Sequence, residues 1–107
     1  MKRIVTYGGF FEAFIATLPD LVVRKIDYGI TLLKTRDRVP WKFIRNLGDG
    51  LFELRIEWEG NIYRVFFIID KDDMVILLNG FQKKTQKTPK EEIKKAKRIL
   101  KEYYGTR

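Results

Sequence analysis

The chain has 107 residues, of which 45% are hydrophobic and 14% aromatic, so it can build one packed domain, predicted to span residues 1–107. It contains neither cysteine nor histidine, which excludes disulfides, the common zinc ligands and Ser-His or Cys-His catalysis. Its formal net charge of +8 favours a polyanionic partner, either nucleic acid or an acidic protein. We expect no cofactor, and any chemistry must use carboxylates, amines, guanidiniums or phenols.

The first half of the chain is predicted to form a strand, two helices and a connection. Residues 2–7 have the pattern of a short strand, and residues 10–18 are predicted to be helical. Asp20 is expected to cap a second helix, which forms a hairpin with the first. Residues 35–50 have no clean period and are predicted to be a connection. The second helix has apolar residues at helical spacing: Val22, Ile26, Ile30 and Leu33.

From Leu51 the apolar period changes to two, which predicts a half-buried strand with a charged, open face. The charged positions are Glu53, Arg55, Glu57 and Glu59. Gly60-Asn61 is predicted to be a hairpin turn, residues 62–69 a nearly all-apolar strand and residues 74–78 a third strand ending at Asn79-Gly80.

The last predicted element is a helix whose start is marked by Thr88, Pro89 and Glu91 in a capping-box pattern. One face carries the apolar residues, and another carries lysines. The apolar positions are Ile93, Ala96, Leu100 and Tyr103 or Tyr104, and the basic positions are Lys90, Lys94, Lys97 and Lys101.

This order of elements predicts an α+β fold with a small antiparallel sheet, helices on one face and the other face partly free. No run of apolar residues approaches the roughly 20 that a membrane span needs, and residues 1–6 do not lead into a signal peptide. We therefore expect a cytoplasmic protein with no membrane partner.

Arg64 is the most informative residue because it is a guanidinium inside an apolar strand, where it must find an anion or reach a cleft. One interpretation is an ion pair with Glu53 or Glu57 on the adjacent strand. The other is a phosphate-binding role. An enzyme that awaits a phosphate is compatible with both.

Positive charge is concentrated after the last strand. From Lys83 to the end of the chain there are 10 basic and 3 acidic residues. Phe81, Lys83, Lys84 and Lys87 are candidates for stacking on a base and contacting phosphates, although such a loop can be merely solvated. Lys94 and Lys97 are weaker RNA-binding candidates, since lysines on a terminal helix usually face only water. We expect no metal site, because the turn containing Asp70, Asp72 and Asp73 matches no calcium loop.

Three segments together resemble a known family. They are residues 47–55, ending Leu-Phe-Glu-Leu-Arg, then Tyr63-Arg64-Val65, and then residues 77–89, with the sequence LLNGFQKKTQKTP. This pattern resembles the phage-derived, HigB-like branch of the RelE/ParE toxin superfamily. The resemblance extends from the two predicted helices to the last helix and is densest over residues 47–96.

The resemblance implies a RelE-like fold with an N-terminal helical hairpin and a C-terminal helix. It also implies a ribosome-dependent mRNA endoribonuclease partnered by a helix-turn-helix, HigA-like antitoxin. By position it makes Glu53 and Arg55 catalytic strand residues, Arg64 the phosphate-binding arginine, and Lys83 and Lys84 the basic residues after the last strand. Some relatives have a tyrosine or histidine in that last segment, and this chain has neither. We therefore predict Glu53 as the general base, with a lysine whose pKa is lowered by like charges as the alternative.

Two alternatives stay open. A ParE-like relative would act as a protein poison of DNA gyrase and need no catalytic constellation. A plain RNA-binding module would need the basic loop but neither Arg64 nor Glu53. The charges on the predicted sheet face favour the nuclease.

Overall fold

The computed structural model describes residues 1–36, 38–40, 42–83 and 89–105, without the side chains of Asp72 and Lys83. Over these ranges the fold is α+β, with five strands, three helices and one 3₁₀ turn. In chain order they are β1 (Arg3–Thr6), α1 (Phe10–Ile15), α2 (Asp20–Thr35), β2 (Ile44–Gly48), β3 (Leu51–Trp58), β4 (Asn61–Asp70), the 3₁₀ turn (Lys71–Asp73), β5 (Met74–Lys83) and α3 (Lys90–Gly105).

The strands form one sheet in the order β1-β5-β4-β3-β2. Three neighbouring pairs are antiparallel, as predicted, whereas β1 runs parallel to β5, with Ile4 opposite Val75. Parallel pairing requires a long crossover, and here the whole chain between β1 and β5 provides it. The predicted small antiparallel sheet is therefore confirmed in its main part and contains one parallel edge.

The segment 35–50 is not only a connection, because it contains the edge strand β2. β2 pairs antiparallel with β3, with Ile44 opposite Leu54 and Arg45 opposite Glu53. Asp49 and Gly50 join the two strands with φ values of 56° and 79°. Positive φ at both central residues matches the right-handed twist of a hairpin, and Asp-Gly is a preferred pair for such a turn.

The turn between β3 and β4 is shifted by one residue from its prediction. Trp58 pairs with Asn61, so the central residues are Glu59 and Gly60, with φ values of 49° and 76°. Asn61 is already the first residue of β4.

β5 is also longer than predicted, since it continues through Asn79 and Gly80 to Lys83. The pairing with β4 shifts register between Val65 and Phe67, which indicates a β-bulge. A Cβ at Gly80 would collide with the Phe14 ring and lie 2.9 Å from the Arg64 carbonyl oxygen. Glycine is therefore needed at this position for close packing of α1 on β5, and it does not end the strand.

Helices cover both faces of the sheet, so the prediction that one face is partly free is wrong for much of that face. α2 packs on one face, where Ile26 and Leu33 join a core with Val65 and Phe67. On the other face α3 buries Ala96 and Ile99. They pack against a second core of strand residues, namely Leu51, Phe66, Ile68, Ile76 and Leu78. The physical reason is that β4 is apolar on both faces, and each apolar face requires a cover.

The two helices that follow β1 do not confirm the predicted N-terminal hairpin. α1 has only six residues and packs on β5, whereas α2 packs on β3. The predicted cap at Asp20 is wrong, because Asp20 is the first residue of α2 itself. The cap position is occupied by Pro19, which is extended, and no side chain caps the helix there. The predicted apolar face of α2 is confirmed. None of the described helices is long and apolar enough to cross a membrane.

Candidate anion-binding site

Charged side chains from three neighbouring strands share the sheet face that α3 partly covers. Cross-strand partners lie on the same face of a sheet, and the register pairs Arg45 with Glu53 and Arg55 with Arg64. Glu57, two residues after Arg55 on β3, belongs to the same face. We call this group the arginine patch; it consists of Arg45, Glu53, Arg55, Glu57 and Arg64.

The innermost part of the arginine patch is a buried ion pair. Arg64 Nη1 lies 3.0 Å from Glu53 Oε1, and the two side chains are 4% and 0% exposed, respectively. The predicted ion pair between Arg64 and the adjacent strand is thus confirmed. The expectation that Glu53 lies on an open face is wrong, because Glu53 lies opposite Phe66 of the second core.

Burial lowers the pKa of Arg64, because a charged guanidinium loses hydration when water is removed. Glu53 opposes this shift, the positive charges of Arg55 and Arg45 add to it, and Glu57 opposes it weakly. The other four charges of the arginine patch therefore all act on Arg64. Arg64 Nε has no hydrogen-bond partner among the described residues, so the guanidinium retains a donor beyond its contact with Glu53.

The outer part of the arginine patch is open to solvent. Arg55 Nη2 donates a hydrogen bond to Glu57 Oε1 at 2.7 Å, and the side chains are 37% and 59% exposed. Both residues line a cavity of about 340 Å³, together with Lys42 and Phe43. Arg55 is therefore the arginine that is exposed at this cavity, whereas Arg64 is buried in its pair with Glu53.

The other predicted residues near this site are on or after β5. Phe81 pairs with Arg64, and its ring stacks on Phe66 with centroids 5.6 Å apart, so one face of the ring contributes to the second core. The backbone of Lys83 lies opposite Ile62 at the end of β5. The predicted residues Lys84 and Lys87, and the predicted cap Thr88, lie outside the described residues.

The two predicted RNA-binding lysines on α3 do not join the arginine patch. Lys94 contacts Glu91 of its own helix at 3.8 Å, and it is 68% exposed. Lys97 lies 3.3 Å from Asp49, in the turn before β3 and thus at the opposite end of that strand from Glu57. Both contacts are typical of solvated surface pairs, which contribute little to stability.

No group of three or more potential metal-ligating side chains is close enough to hold an ion within the described ranges.

Glu12 accepts a hydrogen bond from the Thr6 hydroxyl at 2.6 Å. This bond lowers the pKa of Glu12, because it stabilises the carboxylate.

Three residues of the site were missed by sequence reasoning, namely Lys42, Phe43 and Arg45, because they fall in the segment interpreted as a connection. Asp49-Gly50 was the available signal. A hairpin at that dipeptide places a strand before it and brings Arg45 opposite Glu53.

The fold and the site together define a small basic α+β protein with three arginines and two glutamates grouped on one sheet face. Residues 13–101 match the model of a family described as "Phage derived protein Gp49-like (DUF891)". The chain therefore belongs to this phage-derived family, a family of toxin-antitoxin toxins related to the RelE and ParE types.

The chain is also similar to a protein of Haemophilus influenzae described as uncharacterized. The two are 44% identical over 59 residues, which make up 55% of this chain and 56% of the relative. The chain thus matches just over half the length of that relative.

Proposed function

We propose that this protein is a HigB-like toxin of a type II toxin–antitoxin module, and that it inhibits translation by cutting messenger RNA on the ribosome. Family membership supplies the toxin class. The observation that best supports an endoribonuclease activity is the arginine patch, in which the buried Arg64–Glu53 pair lies beside the exposed Arg55. A gyrase poison does not require this arrangement.

In the proposed reaction the ribose 2′-oxygen loses its proton to a base and forms a bond to the adjacent phosphorus. The bond from phosphorus to the 5′-oxygen of the next nucleotide breaks, and that oxygen takes up a proton. The products are a 2′,3′-cyclic phosphate and a 5′-hydroxyl. The five-coordinate intermediate carries extra negative charge, so fixed cations next to it lower the barrier.

Arg55 is the residue that we assign to direct phosphate contact, because its side chain is 37% exposed whereas that of Arg64 is buried. A guanidinium matches two phosphate oxygens at once. Arg64 lies behind Arg55, and its charge, partly balanced by Glu53, acts from a site of low dielectric, where electrostatic effects are stronger than in water. Lys83 and Lys84 are proposed as further phosphate ligands and Phe81 as a stacking residue.

Glu53 is assigned a positioning role rather than that of the base. Its side chain is fully buried and paired with Arg64, whereas a base must reach the 2′-hydroxyl directly or through one water. The proton acceptor that we propose is Lys83 or Lys84, since neighbouring positive charges favour the neutral amine.

The proposed partners are a HigA-like, helix-turn-helix antitoxin, the ribosome and messenger RNA, and the proposed location is the cytoplasm. The net charge of +8 supports association with ribosomal RNA. The carboxy-terminal lysines, including Lys87, Lys94 and Lys97, are proposed to strengthen it.

Expression of the protein alone in bacteria tests the proposal. We expect growth arrest with early loss of amino-acid incorporation and with new 5′ ends in messenger RNA, which primer extension would map. Purified protein should cut messenger RNA only when ribosomes are present. Early loss of thymidine incorporation with intact messenger RNA would instead establish a gyrase poison and refute the nuclease.

A further inference from the structure

Three of the residues that line the cavity beside Arg55, namely Lys42, Phe43 and Glu57, have no role in the proposed cleavage reaction. The cavity has a volume of about 340 Å³ and is lined by Lys42, Phe43, Arg55 and Glu57. This volume is at the lower end of the usual range for small-molecule sites. We propose that this cavity binds one guanine base of the RNA and so determines where the chain cuts. The inference rests on the proposed function, because it assigns a specificity pocket to the same substrate.

The walls supply the two contacts that an unpaired nucleotide needs. Phe43 provides an aromatic ring, and proteins that bind single-stranded RNA stack bases on such rings. The ring is partly buried against the first core, and Lys42 Nζ lies over it at 5.2 Å from its centre, so a stacking base would take the place of this ammonium on the ring. Arg55 is a second cation at the cavity, with a buried Nε that has no hydrogen-bond partner among the residues described. Both cations favour the phosphates next to the bound base.

Glu57 is the group that distinguishes between the four bases. A carboxylate only accepts hydrogen bonds, so it pairs best with an edge that presents two adjacent donors. Guanine presents N1–H and the N2 amino group side by side. Adenine, cytosine and uracil each place an acceptor nitrogen or oxygen next to their donor, and this acceptor would face the second carboxylate oxygen.

Arg55 connects this pocket with the proposed cleavage site. Its Nη2 donates a hydrogen bond to Glu57 Oε1 at 2.7 Å. Arg55 also lies opposite Arg64 in the pairing of β3 with β4. The arginine thus orients the carboxylate that reads the base. A guanine in the pocket places its own phosphate near Arg55 and Arg64, so recognition and cleavage occur at fixed spacing along the RNA.

Nucleotide binding to the isolated wild-type protein tests the pocket without the ribosome. Titration with GMP, AMP, CMP and UMP, followed by calorimetry and by NMR shifts of the Phe43 amide, should show GMP binding roughly tenfold more tightly than the others. Glu57→Gln should remove this preference, because an amide places a donor against a guanine donor. The matched control is Glu59→Gln, which changes the charge equally on the same hairpin and should retain the preference.

The second readout is the position of cleavage in ribosome-bound messenger RNA. The wild-type protein and Glu59→Gln should cut at a fixed distance from a guanine, whereas Glu57→Gln should cut with that preference lost. Glu57 is 59% exposed, so the variant should melt like the wild-type protein.

Two results separate this inference from the proposed function. Cleavage by the wild-type protein without a Glu57-dependent guanine preference, together with equal binding of the four nucleotides, would refute the pocket and leave the nuclease in place. Selective GMP binding that depends on Glu57, in a protein that cuts no messenger RNA, would establish the guanine site but refute the nuclease, and with it the role of the pocket in choosing the cut.

Discussion

Glu53 and Arg64 form a charged pair that the sheet removes from water, and this has a thermodynamic cost. Their contact at 3.0 Å offsets part of the hydration that each charge loses on folding. Apolar residues of similar volume often stabilise such a position equally or better. The pair is therefore explained better by the charge that it places near the site than by a contribution to folding.

A double variant at these positions separates stability from function. In Arg64→Ala the Glu53 carboxylate loses its ion-pair partner in the interior, so we expect a loss of about 3–5 kcal/mol in the free energy of unfolding, and loss of cleavage. Glu53→Leu combined with Arg64→Met removes both charges and should restore stability to that of the wild-type protein or above. Urea unfolding and the ribosome cleavage assay measure the two properties. Wild-type cleavage by the stable double variant would remove Arg64 from the site.

At the residue scale, the sequence predicted that Arg64 pairs with Glu53 or Glu57 on the adjacent strand, but not which of the two it chooses or how deeply the pair lies. Arg64 stood out because its strand neighbours are apolar, and its pairing with Glu53 followed from the two adjacent strands. The burial of Glu53 depends on Phe66 and on α3, which packs on the same face. A period of two assigns residues to a face but does not reveal what covers that face.

At the element scale, the meander of β3, β4 and β5 was predictable because its apolar period and turn residues agree. β2 was not recognised because only Ile44 and Leu47 are apolar in its five residues, and an edge strand needs few apolar contacts. β5 was predicted too short, since Asn79-Gly80 is ordinarily a turn signal. Here the bulge and the packing of Phe14 on Gly80 override that local preference.

The close contact between α1 and β5 leads to a prediction for Gly80→Ala. The added methyl group would meet the Phe14 ring and the Arg64 carbonyl oxygen, and the backbone atom has little freedom to move. We expect the free energy of unfolding to fall by about 1–3 kcal/mol, as for other overpacked positions. Urea denaturation measures this free energy of unfolding. Gly105→Ala is the control, because a Cβ there meets nothing within 4 Å; equal stability of the two variants would contradict the packing argument.

At the scale of the whole molecule, two groups of positive charge are candidates for contact with a polyanion. One is the arginine patch on the sheet, and the other is the exposed surface of α3, where Lys94 pairs with Glu91 and Lys97 pairs with Asp49. The composition predicted a polyanionic partner but could not assign the charge to one surface. That assignment needs the register of the strands and the position of α3.

The contribution of α3 can be measured by replacing Lys94, Lys97 and Lys101 with glutamine. If these lysines contact RNA phosphates, ribosome affinity should fall, and the slope of log K against log salt should decrease by roughly 0.7 for each contact. The control is the triple variant Arg24→Gln, Lys34→Gln and Lys71→Gln, which removes the same charge from exposed positions elsewhere. Equal effects of the two triple variants would mean that only net charge matters and that α3 makes no specific contact.

The parallel pairing of β1 with β5 also determines when the molecule can be completed during its synthesis. Arg3 pairs with Met74, 71 positions later in the chain, and closing so long a loop is slow because its entropy is lost before the contact forms. The first strand to leave the ribosome, β1, therefore cannot pair until the last strand, β5, has been synthesised. Because β5 also places Phe81, the proposed stacking residue, opposite Arg64, the active site that we propose is complete only after β5 has been translated, and we expect a shorter nascent chain to be inactive.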